Sequence, residues 1–441
     1  MKILWRMCFI IESFIAILQI KASHFIKKCD LDKISLLNLT SNLPYRNSDN
    51  YIDYNTFFSQ FKKSHGFQSI KELNNIFTLI DKNHKGYIFY DEYAQFESTY
   101  LIPFMNCDTN KECKLTQSQY EKCLNYTSLQ IEKEISFYNY VIISNAIFTF
   151  KQYQDKEEQL NNDTFTKALN TFFNRKITMN ESLLVYYTGI NLFKRGSNKI
   201  KETFLLSEYV SLVRATNTFL DLSSDDISNG FIILNNYIRE IQWAKYLLTN
   251  EETVKYSYED FLYVNFYYEL FTKYSNGNEF LTKNNLYSIF NDIYFTNDYG
   301  TYLSMLNNND TIRTFSFKSV SLFDNLEKEL TKSNIDPLIS TIYSKVSLTD
   351  KDKMYFNELV SMMKYFELYD RIFKVYFKQT KKMKIISSKE IGSIISNEHY
   401  MLAPHPPLSK REILALSKIE LLNSPSVDIL TFISYIASNN K

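Results

Sequence analysis

The twelve residues DKNHKGYIFYDE, Asp81 to Glu92, leave the surrounding chain little conformational choice. Oxygen-bearing side chains fall at the first and third positions (Asp81, Asn83), a glycine is sixth (Gly86), an apolar residue eighth (Ile88) and a carboxylate twelfth (Glu92). A loop that wraps a hard cation needs this spacing. Oxygens at the first, third, fifth, seventh, ninth and twelfth positions surround the ion, the glycine makes the sharp turn, and the last Glu supplies two oxygens. The seventh ligand is a backbone carbonyl, here that of Tyr87. Phe77 and Ile80 before the loop, and Tyr93 and Phe96 after it, have the spacing of amphipathic helices. The fifth position is Lys85, an ammonium where an oxygen is wanted; it removes a ligand and repels a cation.

The frame recurs from Asp108 to Gln119. Asp108, Asn110 and Glu112 take the first, third and fifth positions, Lys114 offers its carbonyl at the seventh, Thr116 a hydroxyl at the ninth, and Leu115 is the apolar eighth residue. Phe104, Cys107, Tyr120 and Cys123 repeat the flanking pattern of Phe77, Ile80, Tyr93 and Phe96. Cys113 replaces the glycine and is strained if φ must be positive there. Gln119 replaces the closing Glu with a neutral amide.

These residues resemble the EF-hand superfamily. The resemblance implies a mostly α fold, a tandem pair of helix-loop-helix hands, calcium as the cofactor, and metal ligands among Asp81, Asn83, Lys85 (defective), Tyr87, Glu92, Asp108, Asn110, Glu112, Lys114 and Gln119. The apolar eighth residue of each loop is expected to pair with a partner loop as a short strand. The simpler alternative for each segment is a helical hairpin with an ordinary turn.

Cys107 and Cys123 sit on the inner faces of the second hand, where a bridge between them would clamp its loop. This bracket, with the linker Tyr100-Leu101-Ile102-Pro103, is similar to the paired EF-hand module of the osteonectin family over residues 76–124. If Cys8 is lost with the N-terminus, four cysteines remain; Cys107–Cys123 and Cys29–Cys113 are the favoured pairs, and buried free thiols are the alternative.

Fainter copies of the frame follow. They end at Glu208 (Phe204 eighth), at Glu358 (Met354 eighth) and at Glu390, and another lies at Asn276-Gly277-Asn278 with Leu281 and Leu286 behind it. Nearly all lack the ligand oxygens. A run of degenerate units with one or two good loops, and the rhythm of Phe356–Phe377, is similar to the arrays of mitochondrial calcium-uptake regulators and aspartate/glutamate carriers. The expected division is a leader over residues 1–22, an EF-hand pair over 30–130, and degenerate EF-like helical regions over 131–245 and 246–441. Ser409 with Glu412 three residues on predicts a helix start after Pro404–Pro407.

Residues 1–22 have a positive start, an apolar centre and a small residue at Ala22, the pattern of a secretory signal. They predict a secreted or secretory-pathway protein. The alternatives are the mitochondrial intermembrane space, or a membrane anchor at residues 3–20 that Arg6 and Glu12 disfavour. No later stretch has the length and apolarity of a span. Five sequons, at Asn38, Asn125, Asn162, Asn180 and Asn309, permit the secretory reading without supporting it in a chain so rich in Asn.

Composition excludes several classes. With 45% apolar and 22% charged residues the 441-residue chain is globular and long enough for two or three domains. Fifty basic against 49 acidic residues argues against a nucleic-acid partner and against a high-capacity calcium buffer. Only 8 Gly speak against glycine-rich phosphate loops. The five His form no zinc spacing, and no nucleophile-elbow or P-loop motif is present. The expectation is therefore a non-enzymatic calcium-binding regulator acting through a protein partner. The alternative is a structural accessory subunit with vestigial, metal-free hands.

Overall fold

A computed structural model describes Leu31, Tyr343 and residues 51–61, 70–126, 134–173, 177–193, 203–223, 227–238, 241–247, 255–294, 352–380, 386–398, 404–427 and 429–439. The chain is mostly helical, as expected. It clusters into two compact units, one of residues 1–177 with Leu205–Ser211, the other of residues 178–204 with 212–441. The leader expected over residues 1–22 lies outside the described residues.

One local device starts nine of the described helices. A buried apolar residue is followed by a cap residue, and a side chain three residues further on bonds back to the cap's N–H. Such bonds run at 2.7–3.0 Å from the N–H of Phe89 to Glu92, Thr116 to Gln119, Thr178 to Glu181, Leu205 to Glu208, Ser257 to Asp260, Thr282 to Asn285, Tyr355 to Glu358, Ser387 to Glu390 and Ser409 to Glu412. This is the returning half of a capping box, which satisfies a donor the helix cannot. The residue before the cap is buried at Ile88, Leu115, Phe204, Leu281, Met354 and Ile386. Of these eighth positions, Ile88, Leu115, Leu281, Met354 and Ile386 reach a neighbouring segment through a short antiparallel contact.

In the first unit, β1 (Tyr51–Asp53) leads into α1 (Tyr54–Phe61), and α2 (Ile70–Ile80) reaches the first loop. There β2 (Tyr87–Phe89) opens α3 (Tyr90–Phe96). A π turn, Glu97–Leu101, joins α3 to α4 (Ile102–Cys107) without leaving helical backbone. After the second loop come β3 (Lys114–Thr116), α5 (Gln117–Leu124), β4 (Glu134–Ser136), α6 (Phe137–Tyr153) and α7 (Asn162–Phe173).

The expected pairing of the two loops with each other is corrected by this arrangement. Ile88 pairs with Ile52, upstream, and Leu115 with Ile135, downstream. The reason is the continuous rod Tyr90–Cys107. At 1.5 Å per residue its two ends stand about 27 Å apart, with one loop at each end. Each loop therefore pairs with the strand beyond it.

Aromatic rings fill the space between these pairs. Phe57 stacks on Phe61 with centroids 4.0 Å apart and meets Phe77 edge-on at 5.3 Å; Phe104 meets Phe137 at 5.1 Å. Such pairs contribute about 0.5–1.5 kcal/mol each beyond their buried area. Tyr93 and Tyr120, matching positions after the two loops, are both fully buried.

The second unit contains α8 (Met179–Phe193), the later part of α9 (Leu206–Leu222), β5 (Ile232–Ile233), α10 (Ala244–Leu247) and β6 (Lys255–Tyr256). It continues with α11 (Tyr258–Ser275), α12 (Lys283–Tyr294), α13 (Phe356–Thr380), α14 (Ser388–Glu398), α15 (Lys410–Ser417) and α16 (Ile429–Asn439). Three antiparallel contacts repeat the first unit's device: Ile232 with Tyr256, Leu281 with Met354, and Ile386 with Val427. Leu281 and Met354, eighth residues of two faint copies of the frame, exchange both backbone bonds at 2.8 and 2.9 Å. The helix expected over Phe356–Phe377 is α13, packed against α11, α14 and α16.

Candidate metal centre

The first loop is built around one carboxylate. Asp81 is 4% exposed; its Oδ1 accepts the Lys85 N–H at 3.0 Å and its Oδ2 the Gly86 N–H at 2.8 Å. Gly86 has φ +80°, a conformation that costs a residue without a Cβ nothing, and His84 has φ +51°. The carbonyl-bearing Tyr87 lies in β2, and Asn83 is exposed on the loop. Glu92 spends Oε2 on the Phe89 N–H at 2.9 Å. Among the described residues its Oε1 has no hydrogen-bond partner, so one oxygen stands ready for a ligand.

Lys85 is not a ligand. Its Nζ lies 4.6 Å from the centroid of Phe89 and 5.8 Å from that of Tyr87, and its side chain is exposed. The ammonium is thus drawn onto the faces of two rings. The sequence shows the defect at this position; the neighbouring rings that take up the ammonium become evident only when β2 forms.

The second loop copies the first, atom for atom, on its backbone. Asp108, also 4% exposed, accepts the Glu112 N–H at 3.1 Å and the Cys113 N–H at 2.9 Å. Lys111 and Cys113 have φ +56° and +57°, matching His84 and Gly86. The positive φ anticipated at Cys113 is therefore present, at a cost of order 1–2 kcal/mol for a residue with a Cβ. Lys114 lies in β3 and its ammonium faces Glu134 at 3.5 Å, both side chains half exposed. Asn110 and Glu112 are exposed.

Gln119 closes this loop differently from Glu92. Its Oε1 accepts the Thr116 N–H at 2.9 Å and the Thr116 hydroxyl at 2.8 Å, and its Nε2 donates to Thr109 Oγ1 at 2.9 Å. Thr109 is a cross-loop hydrogen-bond partner that spacing alone did not single out. Cys107 and Cys123 form the expected disulfide, Cα atoms 6.0 Å apart, tying α4 to α5 beside the loop. Cys113 is itself disulfide-bonded. The Cys29 end of the bridge expected for it lies outside the described residues.

The two loops gather their own ligand residues but do not share them. Among the described residues, no three His, Cys, Asp or Glu side chains converge as a metal-holding group. The first loop has only two carboxylates, Asp81 and Glu92, in its ligand positions; the rest of the donor set is neutral oxygen. That set suits a hard cation of the calcium type and offers no sulfur or imidazole for a softer one. Among the described residues no helix is long and apolar enough to cross a membrane. No known family model matches the chain, and neither a curated protein nor a solved structure matches it.

Proposed function

We propose that this is a calcium-binding protein of the EF-hand type, in which Asp81, Asn83, the Tyr87 carbonyl and Glu92 hold the ion. One observation carries the reading: an acidic first residue takes the N–H groups of the fifth and sixth residues, with a left-handed glycine at the sixth. That arrangement organises the loop before any ion arrives. It also leaves Glu92, at the start of α3, free to turn an oxygen inward.

Calcium pulling on Glu92 would act on the first turn of α3, and the continuous α3–π–α4 rod would carry that displacement toward the second loop. A shift of helices that changes the apolar surface shown to a protein partner is the regulatory mode such a loop supports. No catalytic step is assigned. The Cys107–Cys123 bridge supports an oxidising compartment, in keeping with a secreted or secretory-pathway location and with the likeness to the osteonectin module.

The test is calorimetric titration of the full chain with calcium. With Lys85 in place the affinity expected is about 10⁻⁴–10⁻³ M, the weak end of the family range. Glu92→Gln is expected to abolish the heat. A second reading, a metal-free structural accessory subunit, is favoured specifically by Lys85 and Gln119. It prevails if neither heat nor a shift in melting temperature appears at millimolar calcium.

A further inference from the structure

We propose that Gln119 is the specificity-determining residue of the second loop: its amide closes Asp108–Gln119 in place of a cation, so that the loop stays shaped and does not take up calcium. This rests on the reading of the first loop as a calcium site, and it adds which loop answers to the metal and why.

The two loops are alike where the backbone is concerned. Both first-position carboxylates hold the same two N–H groups at 2.8–3.1 Å, and both have left-handed residues at the fourth and sixth positions. The second loop has the better side-chain set, with Asp108, Asn110, Glu112 and the Thr116 hydroxyl, and no ammonium at the fifth position. Its twelfth residue is what sets it apart from a calcium site.

A carboxamide has one oxygen, and here that oxygen is fully engaged by Thr116 N–H and Thr116 Oγ1. The orientation is forced, since the reverse would set an amide N–H2 against the Thr116 N–H. The N–H2 end therefore points across the loop to Thr109 Oγ1, ten residues back. A donor directed across the loop repels a cation, while its bond to Thr109 draws the loop ends together. The disulfide Cys107–Cys123 fixes the helices on either side. Loop closure is thereby satisfied without an ion. In the first loop Glu92 lacks any such cross-loop bond and keeps a spare oxygen.

The experiment titrates calcium alone into the full-length oxidised chain as wild type, Glu92→Gln, Gln119→Glu and the double variant, with bound ions counted by calorimetry. Gln119→Glu retains the acceptor for Thr116 and replaces the inward donor with an oxygen. The inference expects wild type to bind one ion, Glu92→Gln none, and Gln119→Glu one more ion than wild type. The added ion persists in the double variant and is at least tenfold tighter than the wild-type site. An added ion with none bound by wild type would uphold the role of Gln119 while removing the first-loop reading. Two ions in wild type, or no added ion in a Gln119→Glu protein whose melting curve shows it folded, would overturn the inference. As a metal-free check, Thr109→Val is expected to speed amide exchange of residues 109–113 in calcium-free buffer by at least tenfold. Unchanged exchange there would remove the cross-loop closure on which the inference stands.

Discussion

Lys85 is the one ligand position of the first loop that carries a positive charge. Its ammonium rests over Phe89 rather than on Asp81 or Glu92, so it is not an internal substitute for the ion. It still places a positive charge beside the site and leaves the fifth ligand position without an oxygen. Lys85→Asp removes the charge and supplies the oxygen together. Calcium affinity is expected to rise by about a hundredfold or more, given the range across which ligand charge tunes such loops; calorimetry of the two proteins side by side checks it. An unchanged affinity would mean that calcium does not bind between Asp81 and Glu92. The backbone at Cys113 shows a second residue-scale effect. The sixth position needs positive φ, so the turn is kept even where the glycine is not.

Helix pairs depend on buried charge as well as on rings. In the second unit Lys364 of α13 meets Glu412 of α15 at 2.6 Å, and the Tyr365 hydroxyl donates to the same carboxylate at 2.7 Å. Burial pushes the Glu412 carboxyl up, but the Lys364 charge beside it, with hydrogen bonds from Lys364, Tyr365 and the Ser409 backbone, holds it below the ordinary carboxylate range. Glu412 is also the capping-box acceptor of α15. Lys364→Met leaves a buried carboxylate without its counter-charge and is expected to cost about 3–5 kcal/mol in chemical denaturation. Lys364→Met with Glu412→Gln should recover part of that loss, because the buried charges go together while an acceptor for the Ser409 N–H and the Tyr365 hydroxyl remains. A Lys364→Met protein of wild-type stability would show that the pair contributes nothing. The depressed carboxyl gives stability above its unfolded pKa, lost as pH falls through the folded value.

At the scale of the whole second unit, residues far apart in sequence converge on one imidazole. His405, before α15, bonds through Nδ1 to Asp260 of α11 at 2.7 Å, with its Nε2 3.8 Å from Glu259. Its backbone N–H donates to Glu367 of α13 at 3.1 Å, and Arg371 pairs with that Glu367. The Tyr263 ring lies alongside, centroids 4.9 Å apart. Burial opposes charging of the ring, but the Asp260 hydrogen bond, with the Glu367 and Asp260 charges, outweighs burial and the repulsion from Arg371, so its pKa is raised. A raised folded pKa means stability that is full below the unfolded value of about 6.5 and lost as pH rises through the folded one. Unfolding free energy is therefore expected to fall as pH climbs from 6 toward 8, and His405→Gln to flatten that slope. An identical slope in the variant would show that the ring is not the titrating group.

The period of the apolar residues was enough to place the helices around both loops, the cap box at Ser409–Glu412 and the apolar eighth residues, because each is decided within a few residues of chain. Phe77, Ile80, Tyr93 and Phe96 could be assigned to one core from spacing alone, and Cys107 and Cys123 faced each other by the same logic. The partner of each loop was not legible there. Whether helix continued through Glu97–Leu101 depended on Leu101, Phe104 and Phe96 all finding buried places, which local spacing does not report. That continuity separated the loops and sent Ile88 to Ile52 and Leu115 to Ile135. The same holds for Gln119 and Thr109, and for His405 and Asp260. Hydrogen bonds across ten or more residues exist only once packing has brought their ends together, so the local pattern sets the units and tertiary packing decides which of them meet.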